Sequence, residues 1–202
     1  MATAVDTENS LLSAVEAVEW LGSTGSTDLW YRIYGLVNNA AARMNHETGR
    51  LLKNRAVTEY YDGDGSTMLM LNQFPLSSTT ITITKDGDGT RGFTTTYQMT
   101  TTDIRCDTEM AVVQVVGDVF TEGYRNIKVV YSAGYSSSES NSAALVSAQK
   151  DYVQLLWNRN VTNRGSIGVR SESAEGGSRT YETDMPWSVV KVLQGYKDRR
   201  YA

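Results

Sequence analysis

The sequence predicts an α+β fold: helices from the two ends of the chain pack as a bundle, and an antiparallel β-sheet or small β-sandwich is inserted between them. Two patterns carry this expectation. Before residue 50 and after residue 140, apolar residues recur at three- and four-residue intervals, the spacing of a helix buried along one stripe. Between those regions the chain is rich in Val, Ile, Thr and Tyr, alternates apolar with polar, and is punctuated by Asp-Gly-Asp-Gly runs. At 202 residues, 40% hydrophobic and 21% charged, the chain is expected to form one domain with a sizeable core. Residues 1–55 and 140–202 are its helical part and 56–135 its β insertion.

In chain order, the first helix is expected over Leu11–Leu21, with Ser13 and Glu16 as a capping box and Gly22 as its stop. Leu12, Val15 and Val18 form its apolar side. The second helix runs from about Leu29 to His46, capped by Thr27 or Asp28. Leu29, Ile33, Leu36, Val37, Ala40, Ala41 and Met44 line one stripe, and Gly49 ends it.

Thr58–Tyr61 reads as a strand, Asp62-Gly63-Asp64-Gly65 as a tight hairpin turn, and Thr67–Leu71 as the returning strand. Phe74-Pro75 marks a corner. Ser78–Thr84 alternates, with Ile81 and Ile83 on one face, and Lys85–Gly89 repeats the turn chemistry. Phe93–Thr102 is threonine-rich and expected to be extended. Met110–Val119 is apolar on both faces, which predicts a strand covered twice, and Ile127–Tyr131 alternates again.

Ser136–Ser142 is a serine-rich linker to a third helix, from Ala143 to about Asn160, with Leu145, Ala148, Tyr152, Leu155 and Leu156 on its stripe. Residues 163–183 read as a long mobile loop that belongs to a flexible C-terminal arm. A last helix starts at Pro186, with Val189, Val192, Leu193 and Tyr196 on its apolar face, before a basic, aromatic tail.

No coherent catalytic set is present, so an enzyme is not expected. His46 is the single histidine and lies at the polar end of a helix; Cys106 is the single cysteine and has no motif around it. A zinc site would need about four closely spaced ligands. Neither Asp-Gly run has the glutamate that a calcium loop requires at its twelfth position: Gln73 and Tyr97 stand there. No cofactor is implied, since phosphate-cradling and dinucleotide motifs are missing. No apolar run approaches the roughly 18 residues of a membrane span, and the N-terminus does not resemble a secretory signal.

The net charge of −4 weighs against a dedicated nucleic-acid binder. Charge is unevenly spread. Up to Trp20 the charged side chains are all acids: Asp6, Glu8, Glu16 and Glu19. Asp28–Arg55 is basic, 171–184 acidic, and the stretch from Lys191 basic again, which fits either ordinary solvated surface or complementary patches that meet across a subunit interface. Tyr60, Tyr61, Tyr131, Tyr135, Trp157, Tyr181, Trp187, Tyr196 and Tyr201 lie at or near element ends, and such residues are enriched in interface cores.

Several stretches together resemble one family. TEYYDGDGS at 58–66, FPLSSTTITI at 74–83 and NIKVVYSAGY at 126–135 are similar to segments of tailed-bacteriophage head–tail connector (adaptor) proteins. So are the opening Trp20-Leu21-Gly22, Asp28 and Thr48-Gly49-Arg50, and a close running through Gly165-Ser166, Thr180-Tyr181, Pro186, Leu193 and Tyr196-Lys197. The serine-rich stretch before the third helix replaces a proline-led motif of that family. The resemblance implies a non-enzymatic virion neck protein, assembled in the host cytoplasm. It implies a ring of twelve copies under the portal, extending the DNA channel toward a stopper or tail protein. DNA would pass through the lumen without sequence-specific binding, and no membrane is involved. The C-terminal region would engage the portal or a neighbour, which nominates Arg179, Tyr181, Trp187, Lys197, Arg199, Arg200 and Tyr201 as contact residues. The rival reading is a carbohydrate- or calcium-binding β module of a tail or surface protein, for which a calcium-dependent melting temperature would be the sign.

Overall fold

A computed structural model describes residues 4–22, 27–87, 89–99, 101–138, 140–162, 171–174, 177–180 and 185–197. The chain divides into two compact units, one from residues 1–52 with 136–202 and the other from 53–135. Its helices and small antiparallel sheets make it an α+β protein, as the sequence predicts.

The first unit is a bundle of α1 (Ala14–Trp20), α2 (Thr27–Thr48), α3 (Ala143–Trp157) and α4 (Trp187–Gln194). Helix α2 packs on the other three, and α3 also packs on α1 and α4. The stripe on α2 is the predicted one at its centre: Ile33, Val37, Ala40, Ala41 and Met44 are buried, while Leu29 and Leu36 are half-buried. On α3, Leu145, Ala148, Gln149, Tyr152, Val153 and Leu156 are buried. The Tyr152 hydroxyl accepts a bond from Arg43 at 2.9 Å.

Capping at α1 follows the sequence closely. Glu16 N–H donates to Ser13 Oγ, and Ser13 N–H donates to Glu16 Oε2 at 2.9 Å. Gly22 takes φ +60 beyond the last turn, a conformation that carries no steric cost only without a Cβ. The predicted start and apolar side of this helix are corrected. Ser13 is the cap, so Leu11 and Leu12 precede the helix, yet both are buried, whereas Val15 is exposed and only Ala17 of the helix is buried. Leu12 before the cap and Ala17 at the fourth helical position stand where a hydrophobic staple places its apolar pair.

Three other expectations in this unit are corrected. Helix α3 ends at Trp157, and Asn158–Thr162 widen into a π turn. Pro186 is the cap of α4 and not its first residue, with ψ 139 still extended. Within the stretch read as a long loop, β7 (Ser171–Ala174) and β8 (Gly177–Thr180) pair antiparallel. Its strands, SESA and GSRT, carry no apolar alternation by which the sequence could announce them. Residues 163–170 and 181–184 lie outside the described residues.

The second unit is a small sandwich of two antiparallel sheets. One has the order β1 (Arg55–Gly63), β6 (Gly123–Ala133), β3 (Thr82–Lys85); the other has β2 (Met68–Met70), β5 (Val112–Val115), β4 (Ile104–Asp107). Leu71, Ile81, Ile83, Val113, Val115, Phe120, Ile127 and Val129 fill one core between them. Fully burying each such side chain contributes roughly 1.5–3 kcal/mol, which favours the two sheets sharing one core.

The predicted hairpins do not form. β1 pairs with β6, Arg55 opposite Ala133 through Tyr61 opposite Ile127, and β2 pairs with β5 in the other sheet. Asp62–Gly65 therefore carries the chain from one sheet to the other. Local turn chemistry was read correctly as a break in extension, but long-range pairing decided the partner. The glycine is needed for a different reason: a Cβ on Gly63 would lie 1.8 Å from the Thr121 carbonyl oxygen. Lys85–Gly89 likewise closes no hairpin, since β3 lies at a sheet edge beside β6.

Phe93–Thr102 is extended only in part: Gln98 bridges Thr84 antiparallel and the Met99 N–H donates to the Ile83 carbonyl. It contains the 3-10 turn Thr95–Tyr97 and leads into a second at Thr101–Asp103, and Met99 is its buried anchor. The apolar run Met110–Val119 yields only the four-residue β5. Val113 and Val115 enter the core while Met110, Val116 and Val119 are exposed, so the strand is covered on one face and not on two.

Candidate interaction surfaces

Alternation along β1 turns Val57, Glu59 and Tyr61 to one side and Thr58, Tyr60 and Asp62, all exposed, to the other. The exposed side builds a cluster of aromatic and guanidinium groups. The Tyr60 and Phe93 rings are 5.3 Å apart, the Arg125 guanidinium lies 5.4 Å over Tyr60, and Arg91 lies 5.7 Å over Tyr124. Lys128 stands opposite Tyr60 in the β1–β6 register.

This face is held in place by its backbone. Among the described residues, four non-glycine residues have positive φ, and three of them, Arg91 (59), Phe93 (46) and Arg125 (49), belong to the cluster. Each costs roughly 1–2 kcal/mol relative to an ordinary conformation. Two carboxylates stabilise the arrangement: Asp62 Oδ1 accepts from Arg125 N–H at 2.6 Å, and Asp86 Oδ1 accepts from Arg91 N–H at 3.0 Å. Tyr60 is among the aromatic candidates that the sequence offers; Arg91, Phe93, Tyr124 and Arg125 are not. A left-handed arginine leaves no mark in composition or periodicity.

The opposite side of β1 carries a polar knot facing the sandwich core. Tyr131 Oη donates to Glu59 Oε2 at 2.6 Å, and Tyr61 Oη donates to the same oxygen. The two hydroxyls in turn accept from Gln73 N–H at 3.1 Å and Asn72 N–H at 2.8 Å. Burial, then the bond to Glu59, pushes both phenols well above the ordinary tyrosine range. The knot binds the segment before the Phe74-Pro75 corner to the sheet.

Of the contact residues expected at the C-terminal end, Trp187 is 69% exposed at the start of α4, with the Lys191 ammonium 4.7 Å over its ring. Lys197 pairs with Glu47 of the same chain at 3.0 Å, both side chains being solvent-accessible. Arg179 falls in β8. Tyr181, Arg199, Arg200 and Tyr201 lie outside the described residues. Trp187 and Lys197 are both in the helical unit; nothing among the described contacts joins them to each other.

The acidic turns do backbone work. Asp64 Oδ1 accepts from Ser66 N–H at 2.9 Å, and its bonds to Ser66 hold that carboxyl below the usual range. Among the described residues no group of three His, Cys, Asp or Glu side chains is placed to hold a metal ion, and no helix is long and apolar enough to cross a membrane. His46 is exposed in the last turn of α2. Cys106 is half-buried, and burial pushes its thiol up, away from the thiolate that nucleophilic chemistry needs. The Asp62→Asn, Asp64→Asn double variant, which keeps the carbonyl acceptors, should leave the melting curve close to that of the wild type and show no calcium-dependent melting. Thermal melts with calcium and with chelator check this.

No protein-family model matches the chain, and no curated protein matches it. Solved structures do. A chain from the neck of an empty GTA particle computed with C6 symmetry aligns at a TM-score of 0.56 with 19% identity, over 97% of this chain and 93% of that one. A chain from the virion of a native gene transfer agent (GTA) particle aligns at 0.56 with 16% identity, over the same shares of each. The protein thus has the fold of a chain found in such a neck, over nearly its whole length.

Proposed function

We propose that the protein is a structural component of a virion neck, a head–tail adaptor whose copies form a ring under the portal. In this reading the ring has twelve copies, extends the DNA channel, and links the head to a stopper or tail protein. The chain acts as one adaptor domain, with helical parts at 1–55 and 140–202 and the β insertion at 56–135. It makes and breaks no bond, and assembly takes place in the host cytoplasm. Its net charge of −4 suits a conduit through which DNA slides without sticking.

The observation that carries this reading is the fold likeness spanning 97% of the chain to a chain of a particle neck. The head–tail connector resemblance of 58–66, 74–83 and 126–135 supports it from local sequence, a separate kind of observation. The C-terminal contact set includes Trp187, whose exposed ring under Lys191 has the character of an interface anchor. Arg179, Tyr181, Lys197, Arg199, Arg200 and Tyr201 complete the proposed set toward portal or neighbour.

Removing residues 163–202 would not test docking cleanly. Helix α4 lies within that range, and its Val189 and Leu193 are buried in the bundle. The direct test is particle assembly without the chain. DNA-filled heads and free tails should accumulate, and purified particles from the complemented system should contain the chain at the neck by electron microscopy. Tailed, infectious particles assembled normally in its absence would overturn the reading.

A further inference from the structure

Three positive-φ residues on one face of the β unit present the cluster described above, and Tyr124 at its rim is 70% exposed. Strained backbone persists where the surroundings enforce it, and such positions concentrate at binding surfaces. Exposed tyrosines under arginine are the residue types that dominate protein–protein contacts. Its cations are Arg91, Arg125 and Lys128, while the neighbouring Asp62 and Asp86 spend their Oδ1 atoms on backbone amides.

The same chain carries a surface of opposite character. Through Trp20 its charged side chains are Asp6, Glu8, Glu16 and Glu19, all acids. Helix α1 adds two exposed apolar side chains, Val15 (54%) and Trp20 (50%), with Lys150 5.7 Å over the Trp20 ring. An acidic helix with an exposed indole complements a basic face of exposed phenol rings.

We infer that the Tyr60–Phe93–Tyr124 face, with Arg91 and Arg125, seats the α1 surface of a second copy of this chain. This rests on the neck reading and assigns the contact between neighbouring copies. Two different patches of one chain meeting head to tail form a heterologous interface, the kind that closes into a ring when the rotation permits. A self-complementary patch would stop at a dimer. Glu8 and Glu19, both exposed, are the α1-side charges that Arg91 and Arg125 meet.

Charge exchange tests the pairing, with copies per purified particle measured by quantitative mass spectrometry. The Arg91→Glu, Arg125→Glu variant should lower incorporation about tenfold or more, and so should Glu8→Arg with Glu19→Arg, because like charges then face each other. The four substitutions together should restore it. Circular dichroism melts of each variant establish that the fold is intact, and Tyr124→Ala, at a site exposed enough to spare the fold, should also lower incorporation. Double variants that incorporate at the wild-type level overturn the pairing. Loss that the combined variant does not restore also overturns it, assigning the face to another partner. Wild-type chain absent from particles overturns the neck reading itself, so the two failures are distinguishable.

Discussion

Replacing Glu59 with leucine is expected to destabilise the β unit by roughly 2–4 kcal/mol, with a matching fall in its denaturation midpoint. The carboxylate accepts from the hydroxyls of Tyr61 and Tyr131 at a partly buried site. Hydrogen bonds to a charged group contribute about 1.5–3 kcal/mol each, reduced here by partial solvent access. The leucine keeps the volume but leaves both hydroxyls without their acceptor, and loosens the Asn72–Gln73 segment that they hold. The knot also predicts an alkaline limit. Both phenols are raised above the ordinary value of 10.0, chiefly by burial and then by Glu59. The folded chain keeps protons that the unfolded chain releases above that pH, so this contribution is complete below pH 10 and is lost as pH rises beyond it. In the difference between wild type and a Tyr61→Phe, Tyr131→Phe variant, the 295 nm phenolate absorbance should appear together with unfolding. Ionisation of these two tyrosines at pH 10 in a chain still folded by circular dichroism would refute the account.

The helices were legible because their information is local. The capping box at Ser13 and Glu16, the stripe from Ile33 to Met44 and the start at Ala143 each follow from spacing within a few residues. The strands were legible as strands, but their partners were not. Asp62–Gly65 has the composition of a hairpin turn, yet Arg55–Tyr61 pairs with a segment about seventy residues away and Met68–Met70 with one in the other sheet. Turn chemistry describes where extension breaks; pairing is settled by which faces must share a core. Thus the run predicts one buried face with Val113, Val115 and Val119 and a second with Val112 and Val116, whereas the strand ends at Val115, before Gly117 at φ +77, and both Val116 and Val119 are exposed.

Surface legibility followed the same division. Trp187 stands out in the sequence by its polar, near-terminal neighbourhood, and it is exposed. The Arg91–Tyr124 and Arg125–Tyr60 pairs join residues far apart in the chain, through left-handed backbone that only the folded loops enforce. The connector resemblance likewise lies in segment order along the chain, whereas the proposed surface between copies exists only in the assembled face. Glu59 shows the same limit in the core: the local strand sequence does not reveal that its carboxylate accepts from the distant Tyr131 as well as from Tyr61.

The Gln149→Leu variant should cost the helical unit about 2–4 kcal/mol and release the segment ahead of α1. Gln149 is only 1% exposed, an uncommon place for an amide, and every polar atom of its side chain is used. Its Oε1 accepts from Leu11 N–H at 3.2 Å and Leu12 N–H at 3.1 Å, and its Nε2 donates to Ser10 Oγ at 2.9 Å. Leucine fills the space but leaves the buried Leu11 amide without this acceptor, which costs about 1–3 kcal/mol, and removes the support of Leu12 and Ser10. Ser10→Ala should cost less, about 1 kcal/mol, because the Leu11 and Leu12 amides keep the Gln149 acceptor. Amide hydrogen exchange at Leu11 and Leu12 should quicken in Gln149→Leu, while exchange in the core of α2 changes only in step with global stability. Because this segment leads directly into the capping residue Ser13, a loosened strap also displaces Val15, Glu19 and Trp20. Incorporation into particles should therefore fall in Gln149→Leu although none of the proposed contact residues is altered. An unchanged melting curve, or unchanged exchange at Leu11 and Leu12, would show that the amide does not fasten the strap.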